Sequence, residues 1–439
     1  WGGGGLQADP ALLLEVLAGA APTPEQRLVL DLTVEQAGLP PLDEANLAAW
    51  RSRCLARLLV TEAYAVVPGS IPDDHTLLVA PAGRALALHV LHQWADSVRL
   101  SKRLPDAVLD ADKIAGLGSL LAGAGADTGP LLSQAAEQAV FSAVCARLTE
   151  QSGQALLANL ADLQEAIDRH AQGFWGHRLV HAKALPWDEL GRLSTAARSL
   201  LEASATLPWP TPQAAVDWYT GDGWRLDQAG LEIMRDLARP TPDLLALIAP
   251  LRAAYRARWE QHMIEWSAVW ASAGCPTPSL PSAGEWLAGK LSHPRPTAIL
   301  VLDALRYDLG CTLAERVNQQ ESTTRAHVTP TRAPLPSITA LGMALALPIP
   351  EAELRADLVD GKWQVTRQGR QDNLSVAERR RAWWQNEGGV PAAGLLDMAA
   401  VQAGNLPQPT PHLIRLVIHD AAIAKLGHDA PLAVQGAGS

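Results

Sequence analysis

The sequence predicts a mainly α N-terminal region followed by a doubly wound α/β core. Three observations carry that expectation. From Leu12 to about Leu251 apolar residues recur at helical spacing between Gly and Pro breaks. After Pro296 the pattern changes to a continuous apolar run, Ala298-Ile299-Leu300-Val301-Leu302, that stops at Asp303, and a further strand, Leu413-Ile414-Arg415-Leu416-Val417-Ile418, is expected to end at His419-Asp420. Residues spaced for one apolar helix face make surface helices, whereas a short run that is apolar at every position suits a strand covered on both sides in a parallel sheet. The expected divisions are a helical N-terminal region, 1–210, a helical connector, 211–295, and an α/β domain, 296–439.

Within the helical part, Leu39-Pro40-Pro41, Gly123-Ala124-Gly125 and Pro208-Trp209-Pro210 act as breaks. Leu156, Leu157, Leu160, Leu163 and Ile167 put one apolar stripe on a helix. Two short stretches, Thr76–Ala80 and the neighbourhood of Val66-Val67, are read as extended. Further on, Tyr255, Trp259, Met263, Trp266 and Trp270 share one helix face, which reads as a packing stripe in preference to a base-stacking platform. Pro276-Thr277-Pro278 ends that helix, and His293-Pro294-Arg295-Pro296 is a linker.

In the α/β part, Leu305, Leu309, Leu313 and Val317 at four-residue spacing predict a helix packed back on the sheet. A second strand is expected at Thr324–Val328, then a Pro-rich loop and a helix from about Ser337 to Leu347. Lys362–Thr366 reads as a small strand. Ser375-Val376-Ala377-Glu378 has the form of a capping box opening the helix with Arg379, Arg380, Arg381, Trp383 and Trp384. Those arginines are read as a solvated face with a Trp anchor, and a grip on a nucleic-acid backbone is the competing reading.

Composition narrows the function classes. The 439 residues carry 36 Lys and Arg against 46 Asp and Glu, a formal charge of −10, which argues against a generally basic nucleic-acid binder. A hydrophobic content of 48% with 19% charged residues excludes a mostly disordered chain. No apolar run reaches the roughly 18 residues of a membrane span. Trp1-Gly2-Gly3-Gly4-Gly5 has neither an initiator Met nor a charged signal region, so the chain is expected to begin inside a longer one. Cys54, Cys145, Cys275 and Cys311 are scattered without metal-site spacing, so a reducing cytoplasm is the expected compartment.

Three segments could carry chemistry. Asp303 ends a buried strand, where a carboxylate is held rigidly and suits a divalent cation; a helix N-cap is the alternative. Ser337 and Thr339 stand near a helix start, where a hydroxyl could serve as nucleophile or simply cap. His419-Asp420 and His428-Asp429 follow the last strand as candidate zinc ligands or ordinary surface groups.

Together, Asp303-Ala304-Leu305-Arg306-Tyr307-Asp308, Leu335-Pro336-Ser337-Ile338-Thr339-Ala340-Leu341-Gly342-Met343 and the His419–Asp429 segment resemble the PglZ family, a branch of the alkaline phosphatase superfamily found in bacterial phage-defence systems of the BREX type. Ala215-Val216-Asp217-Trp218-Tyr219 with Gly223-Trp224-Arg225-Leu226-Asp227 is similar to the helical region that precedes the domain. The resemblance implies an alkaline-phosphatase-like core, incomplete at the C-terminus in this chain, that holds two zinc ions. It implies a phosphatase or phosphodiesterase acting through Ser337 or Thr339, with Asp303 as first metal ligand, His428 as a further ligand and Arg306 against the phosphate. At the position where the family's Asp-x-x-Gly-His pair has its Asp, this chain has Ala424, which leaves Asp420 to substitute and opens the alternative of an inactive scaffold. Partners implied are other defence proteins, such as a methyltransferase or an ATPase, with a phosphodiester or nucleic acid as substrate and no membrane.

Overall fold

The computed structural model describes residues 7–176, 184–203, 207–235, 242–291, 297–303, 305–320, 325–404 and 415–420. Contacts divide the chain into two units, Trp1–Ala205 with Ala229–Trp259, and Thr206–Gln228 with Glu260–Ser439. The stretch expected as a connector, 211–295, therefore has residues in both.

The first unit is helical, as the periodicity predicts. Its helices include α1 (Pro10–Leu17), α2 (Arg27–Gln36), α3 (Leu47–Val66), α4 (Arg84–Asp96), α5 (Leu104–Ala115), α6 (Leu117–Leu120), α7 (Gln134–Thr149), α8 (Gly153–Asp162), α9 (Gln164–Gln172) and α10 (Trp187–Ala203). Side chains close many of the helix starts: Asp9 accepts from the amides of Ala11 and Leu12, and Asn46 from that of Ala49. The two extended stretches are not strands. Val66 closes α3 and Val67 caps it, while Thr76–Ala80 is a turn whose Val79 amide donates to Thr61 Oγ1 at 3.2 Å. The stripe Leu156–Ile167 is split between α8 and α9 at Leu163, although Leu156, Leu157, Leu160 and Ile167 are all buried.

This unit buries Trp50, Trp94, Trp175 and Trp187 almost completely. It also buries a polar knot around the Leu131–Ala135 backbone. Glu137 accepts from the Leu131 amide (3.0 Å), Glu62 from the Leu132 amide (2.9 Å) and Asp112 from both the Ser133 hydroxyl (2.6 Å) and the Ala135 amide (2.9 Å). Trp175 Nε1 donates to the Leu132 carbonyl at 2.8 Å, and Glu137 meets His170 Nδ1 at 2.6 Å. Backbone groups that no helix satisfies must find partners when buried, and here carboxylates supply them.

Next come α11 (Pro212–Trp218), α12 (Arg225–Arg235) and α13 (Pro242–Ser272), the last two with residues in both units. The aromatic stripe does lie on one helix, α13, but it is not wholly a packing stripe: Trp259 and Met263 are exposed, Trp266 stacks on Trp270, and the helix buries His262 against Trp218 instead.

The second unit continues with α14 (Ala283–Leu291), β1 (Thr297–Leu302), α15 (Tyr307–Gln319), α16 (Thr339–Leu345), β2 (Leu354–Val359), β3 (Lys362–Arg367), α17 (Ala377–Asn386), β4 (Leu395–Asp397), α18 (Met398–Gln402) and β5 (Arg415–Asp420). Among the described residues the sheet has the order β1-β5-β4 with both pairings parallel, and β2 and β3 form a separate antiparallel hairpin. The parallel pairing of the two apolar runs agrees with the sequence reading. The expected strand at Thr324–Val328 does not form in its described part, residues 325–328, where Asn318 instead holds Ala326 by both its amide and its carbonyl.

One face of β1, with Ile299 and Val301, packs on a core that joins Leu341 and Ala344 of α16, Val365 of β3, Leu374, Trp384 of α17, Leu395 and Val417. The other face leaves Leu300 half exposed. The stripe expected to pack α15 on the sheet is likewise uncovered: Leu305, Leu309 and Leu313 are exposed, and α15 buries Asp308, Cys311 and Ala314. A polar cluster, described below, decides which side of α15 turns inward.

Candidate functional site

The end of β1 is where the sheet offers chemistry. Asp303 sits in the turn that follows Leu302, and it is not the N-cap of α15, since that position belongs to Arg306. The Thr339 hydroxyl, at the first residue of α16, donates to Asp303 Oδ2 at 3.0 Å. Neither Ser337 nor Thr339 caps that helix; Ile338 stands at the N-cap, without a side-chain hydrogen bond. Thr339 and Ser337 are both exposed, so the hydroxyl held by Asp303 is open to solvent.

β5 brings a second acidic position to the same level. Its register pairs Leu302 with Asp420 and Val301 with His419, so the backbones of β1 and β5 end side by side. Paired strands lie about 4.8 Å apart, which puts the Asp420 backbone next to the turn that carries Asp303. His428 and Ala424 lie outside the described residues.

Arg306 is engaged within its own loop. Its guanidinium grips Asp308 through two hydrogen bonds, Nε to Oδ1 at 2.9 Å and Nη2 to Oδ2 at 2.7 Å. Asp308 is buried, and its hydrogen bond to Arg306 holds the arginine above its ordinary value. Around this pair, Tyr219 donates to Asp227 at 2.6 Å and Tyr307 donates to the Thr220 carbonyl at 2.8 Å. Burial, reinforced by the Asp227 charge, drives the Tyr219 phenol well up, and burial pushes that of Tyr307 up to about 12. This cluster fastens the start of α15 to the segment Thr206–Gln228, which explains why α15 buries Asp308 and exposes its leucines.

On α17 the three arginines do not form a phosphate-gripping stripe. Arg380 is buried and donates to the carbonyls of Leu374 (3.0 Å) and Ser375 (2.9 Å), while Arg381 donates to the Leu395 carbonyl at 2.8 Å. Arg379, 3.8 Å from Asp372, and Arg381 are both exposed. Ser375 forms no capping box; its hydroxyl accepts from the Val365 amide at 3.0 Å, and the N-cap is Val376. Sequence reasoning missed that Arg380 is buried against the carbonyls of Leu374 and Ser375. No local signal separates a buried arginine from its exposed neighbours in an Arg-Arg-Arg run.

Two apolar strands pair in parallel, and the first ends on a carboxylate that holds a threonine hydroxyl. Residues 287–406 match the family model of the BREX system PglZ alkaline phosphatase-like domain. The PglZ-like segment contains Asp303, Ser337, Thr339 and Arg380, whereas Asp420, His428 and the Thr206–Gln228 segment lie outside the match. The match implies a component of BREX phage defence. No curated protein and no solved structure matches the chain. No described helix is long and apolar enough to cross a membrane.

Metal dependence is typical of alkaline phosphatase-like domains. Asp303 and Thr339 supply oxygen donors of the kind a hard or borderline divalent ion accepts. Among the described residues no group of three or more His, Cys, Asp or Glu could hold a metal ion, so Asp303 and Thr339 do not by themselves make a metal site.

Proposed function

We propose that this chain works in the cytoplasm as a BREX defence component whose alkaline phosphatase-like core hydrolyses a phosphomonoester or phosphodiester, with Thr339 as nucleophile. The hydrogen bond from Thr339 to Asp303 carries the reading and supports Thr339 in preference to Ser337. Asp303 fixes the hydroxyl rotor, so an Oγ lone pair is free to face an incoming phosphorus, and the carboxylate is placed to draw off the hydroxyl proton. Attack forms the Thr339 Oγ–P bond and breaks the bond to the leaving oxygen, which takes up a proton; water then cleaves the threonine–phosphorus ester, returning the hydroxyl and releasing phosphate from a monoester or the remaining phosphomonoester from a diester. Zinc, held by Asp303 with Asp420 and His428, would stabilise charge on the attacking and leaving oxygens. Arg306, gripped by Asp308 and half exposed, orders the loop after Asp303 and would be available to a phosphate oxygen.

The test is turnover of a chromogenic phosphodiester by the full chain with added zinc. Thr339→Val should lower kcat by at least about a hundredfold while Ser337→Ala stays within about threefold. The reverse order would transfer the role to Ser337. A second reading, favoured by Ala424, is an inactive scaffold that docks a methyltransferase or ATPase of the same system. No turnover in the wild-type chain or in Ala424→Asp, together with capture of such a partner, supports that reading.

A further inference from the structure

Asp308 is a buried carboxylate committed to a half-exposed arginine. Its side chain is 1% exposed, whereas that of Arg306 is 48% exposed and could be solvated without a partner. Burying a carboxylate is costly, and a buried ion pair seldom adds net stability over apolar packing. For this pair α15 turns Asp308 inward and leaves Leu309 and Leu313 exposed. What the pair supplies is a fixed orientation. Guanidinium is planar with five N–H donors, and the Nε and Nη2 bonds to Asp308 use two of them on one edge. Among the described residues the other three donors have no hydrogen-bond partner. Only two residues separate Arg306 from Asp303, whose Oδ2 holds Thr339, so the Cα atoms of Arg306 and Asp303 lie within about 11 Å of each other. A long side chain at position 306 therefore has the reach to meet a phosphate held at Thr339.

Residues 219–228, which lie outside the match at 287–406, hold the start of α15 in place. Tyr307 donates to the Thr220 carbonyl at 2.8 Å, and its ring lies 6.1 Å from that of Tyr219. Gln228 Nε2 donates at 3.4 Å to Thr312 Oγ1, the hydroxyl that itself donates to the Asp308 carbonyl at 2.9 Å. Arg225 stands 3.7 Å from Glu315, one turn further on. We propose that Asp308 is a positioning residue that presents Arg306 to a phosphate oxygen of the substrate, with residues 219–228 holding α15 in place for it. The inference rests on the reading of the site as a phosphohydrolase centre. Asp308 itself touches no substrate. A guanidinium already fixed by a carboxylate loses less rotamer freedom when phosphate arrives, and its open fork matches phosphate oxygens in shape as well as charge.

The sign of the effect separates positioning from charge. If Asp308 acted only through its charge, its removal would leave the arginine uncompensated and tighten phosphate binding. Positioning predicts the reverse. Binding of inorganic phosphate to the full chain is followed by calorimetry with magnesium present, and KM and kcat for a chromogenic phosphodiester are measured with zinc. Asp308→Asn, which turns a donor toward Arg306 in place of one acceptor, should weaken phosphate binding about tenfold and raise KM about tenfold while kcat stays within about threefold. Arg306→Ala should weaken phosphate binding by at least as much, and adding Asp308→Asn to it should weaken binding no further, because nothing is left to position. Tyr307→Phe, which removes the bond to Thr220, should weaken phosphate binding about threefold beside Arg306 and not at all beside Arg306→Ala, and it decides the matter if Asp308→Asn does not fold. Phosphate bound as tightly as in the wild type, or more tightly, by a folded Asp308→Asn chain overturns the proposal, as do losses that add in the double variant or no loss in Tyr307→Phe. A wild type that turns over the diester but binds phosphate no better than Arg306→Ala overturns it and leaves Thr339 as nucleophile. A wild type that neither binds phosphate nor turns over the diester removes the phosphohydrolase reading and the proposal with it.

Discussion

The two units both bury charged side chains, Glu137 in one and Asp308 in the other, but differ in the carboxylates left near the surface. In the helical unit, Glu62, Asp112 and Glu137 are buried, and their oxygens are spent on the Leu131–Ala135 backbone and its Ser133 hydroxyl. In the PglZ-like unit, Asp303 is only half buried and holds an exposed hydroxyl. Both units leave some apolar side chains exposed, Leu28 and Val98 among them in the first. The first unit encloses four tryptophans, whereas the second leaves Leu300, Leu305, Leu309 and Leu313 uncovered among the described residues. A carboxylate that closes a fold is inaccessible to substrate, and one that is accessible leaves its surroundings less tightly packed. The candidate chemistry accordingly lies in the less enclosed unit.

That contrast can be broken at several points. The largest effect is expected from Trp187→Ala, which removes a fully buried ring stacked on His170 and edge-on to Phe141, and should cost about 3–5 kcal/mol in urea unfolding of the full chain followed by far-ultraviolet circular dichroism. Glu137→Leu should follow at about 3 kcal/mol, because the Leu131 amide and His170 lose a shared buried partner. A loss below about 1 kcal/mol would mean that the knot contributes little to holding the helical unit together.

Acidity should act on the same unit. Burial holds the carboxyl groups of Glu62 and Asp112 above their ordinary values, and the hydrogen bond to Glu62 raises His92. Each group keeps its proton more firmly in the folded state than in the unfolded one. Its stabilising contribution is therefore complete below the unfolded value and is lost as pH rises through the folded value. The urea midpoint should be higher at about pH 6 than at about pH 8, and His92→Gln should reduce the difference. A midpoint that rises toward alkaline pH would contradict these directions.

The smallest effect sharpens the other side of the comparison. Leu313 is 52% exposed on α15, so Leu313→Ala should change stability by no more than about 0.5 kcal/mol. A cost approaching that of a core leucine, about 2–5 kcal/mol, would show that the stripe is covered in solution and that the sequence reading of α15 was right after all.

What the sequence determined by itself was whatever depends on local spacing. Helical periodicity marked the N-terminal unit, and two short runs rich in apolar residues, Ala298–Leu302 and Leu413–Ile418, marked β1 and β5, although cover on both faces did not follow for β1, whose Leu300 is half exposed. The resemblance to PglZ rested on contiguous motifs, and the family match covers the two that contain Asp303 and Thr339. Tertiary structure decided what depends on distant partners. Four-residue spacing defined an apolar side of α15 but could not say that Arg306, Asp308, Tyr219 and Asp227 would turn the opposite side inward. Ser337 and Thr339 were equivalent as a pair of hydroxyls until a carboxylate 36 residues upstream accepted a bond from one of them. Arg380 looked like its neighbours until packing buried it against the carbonyls of Leu374 and Ser375. Local pattern fixes which face of an element avoids water, but a polar group takes its role from the charge and the hydrogen-bond partner that folding brings beside it.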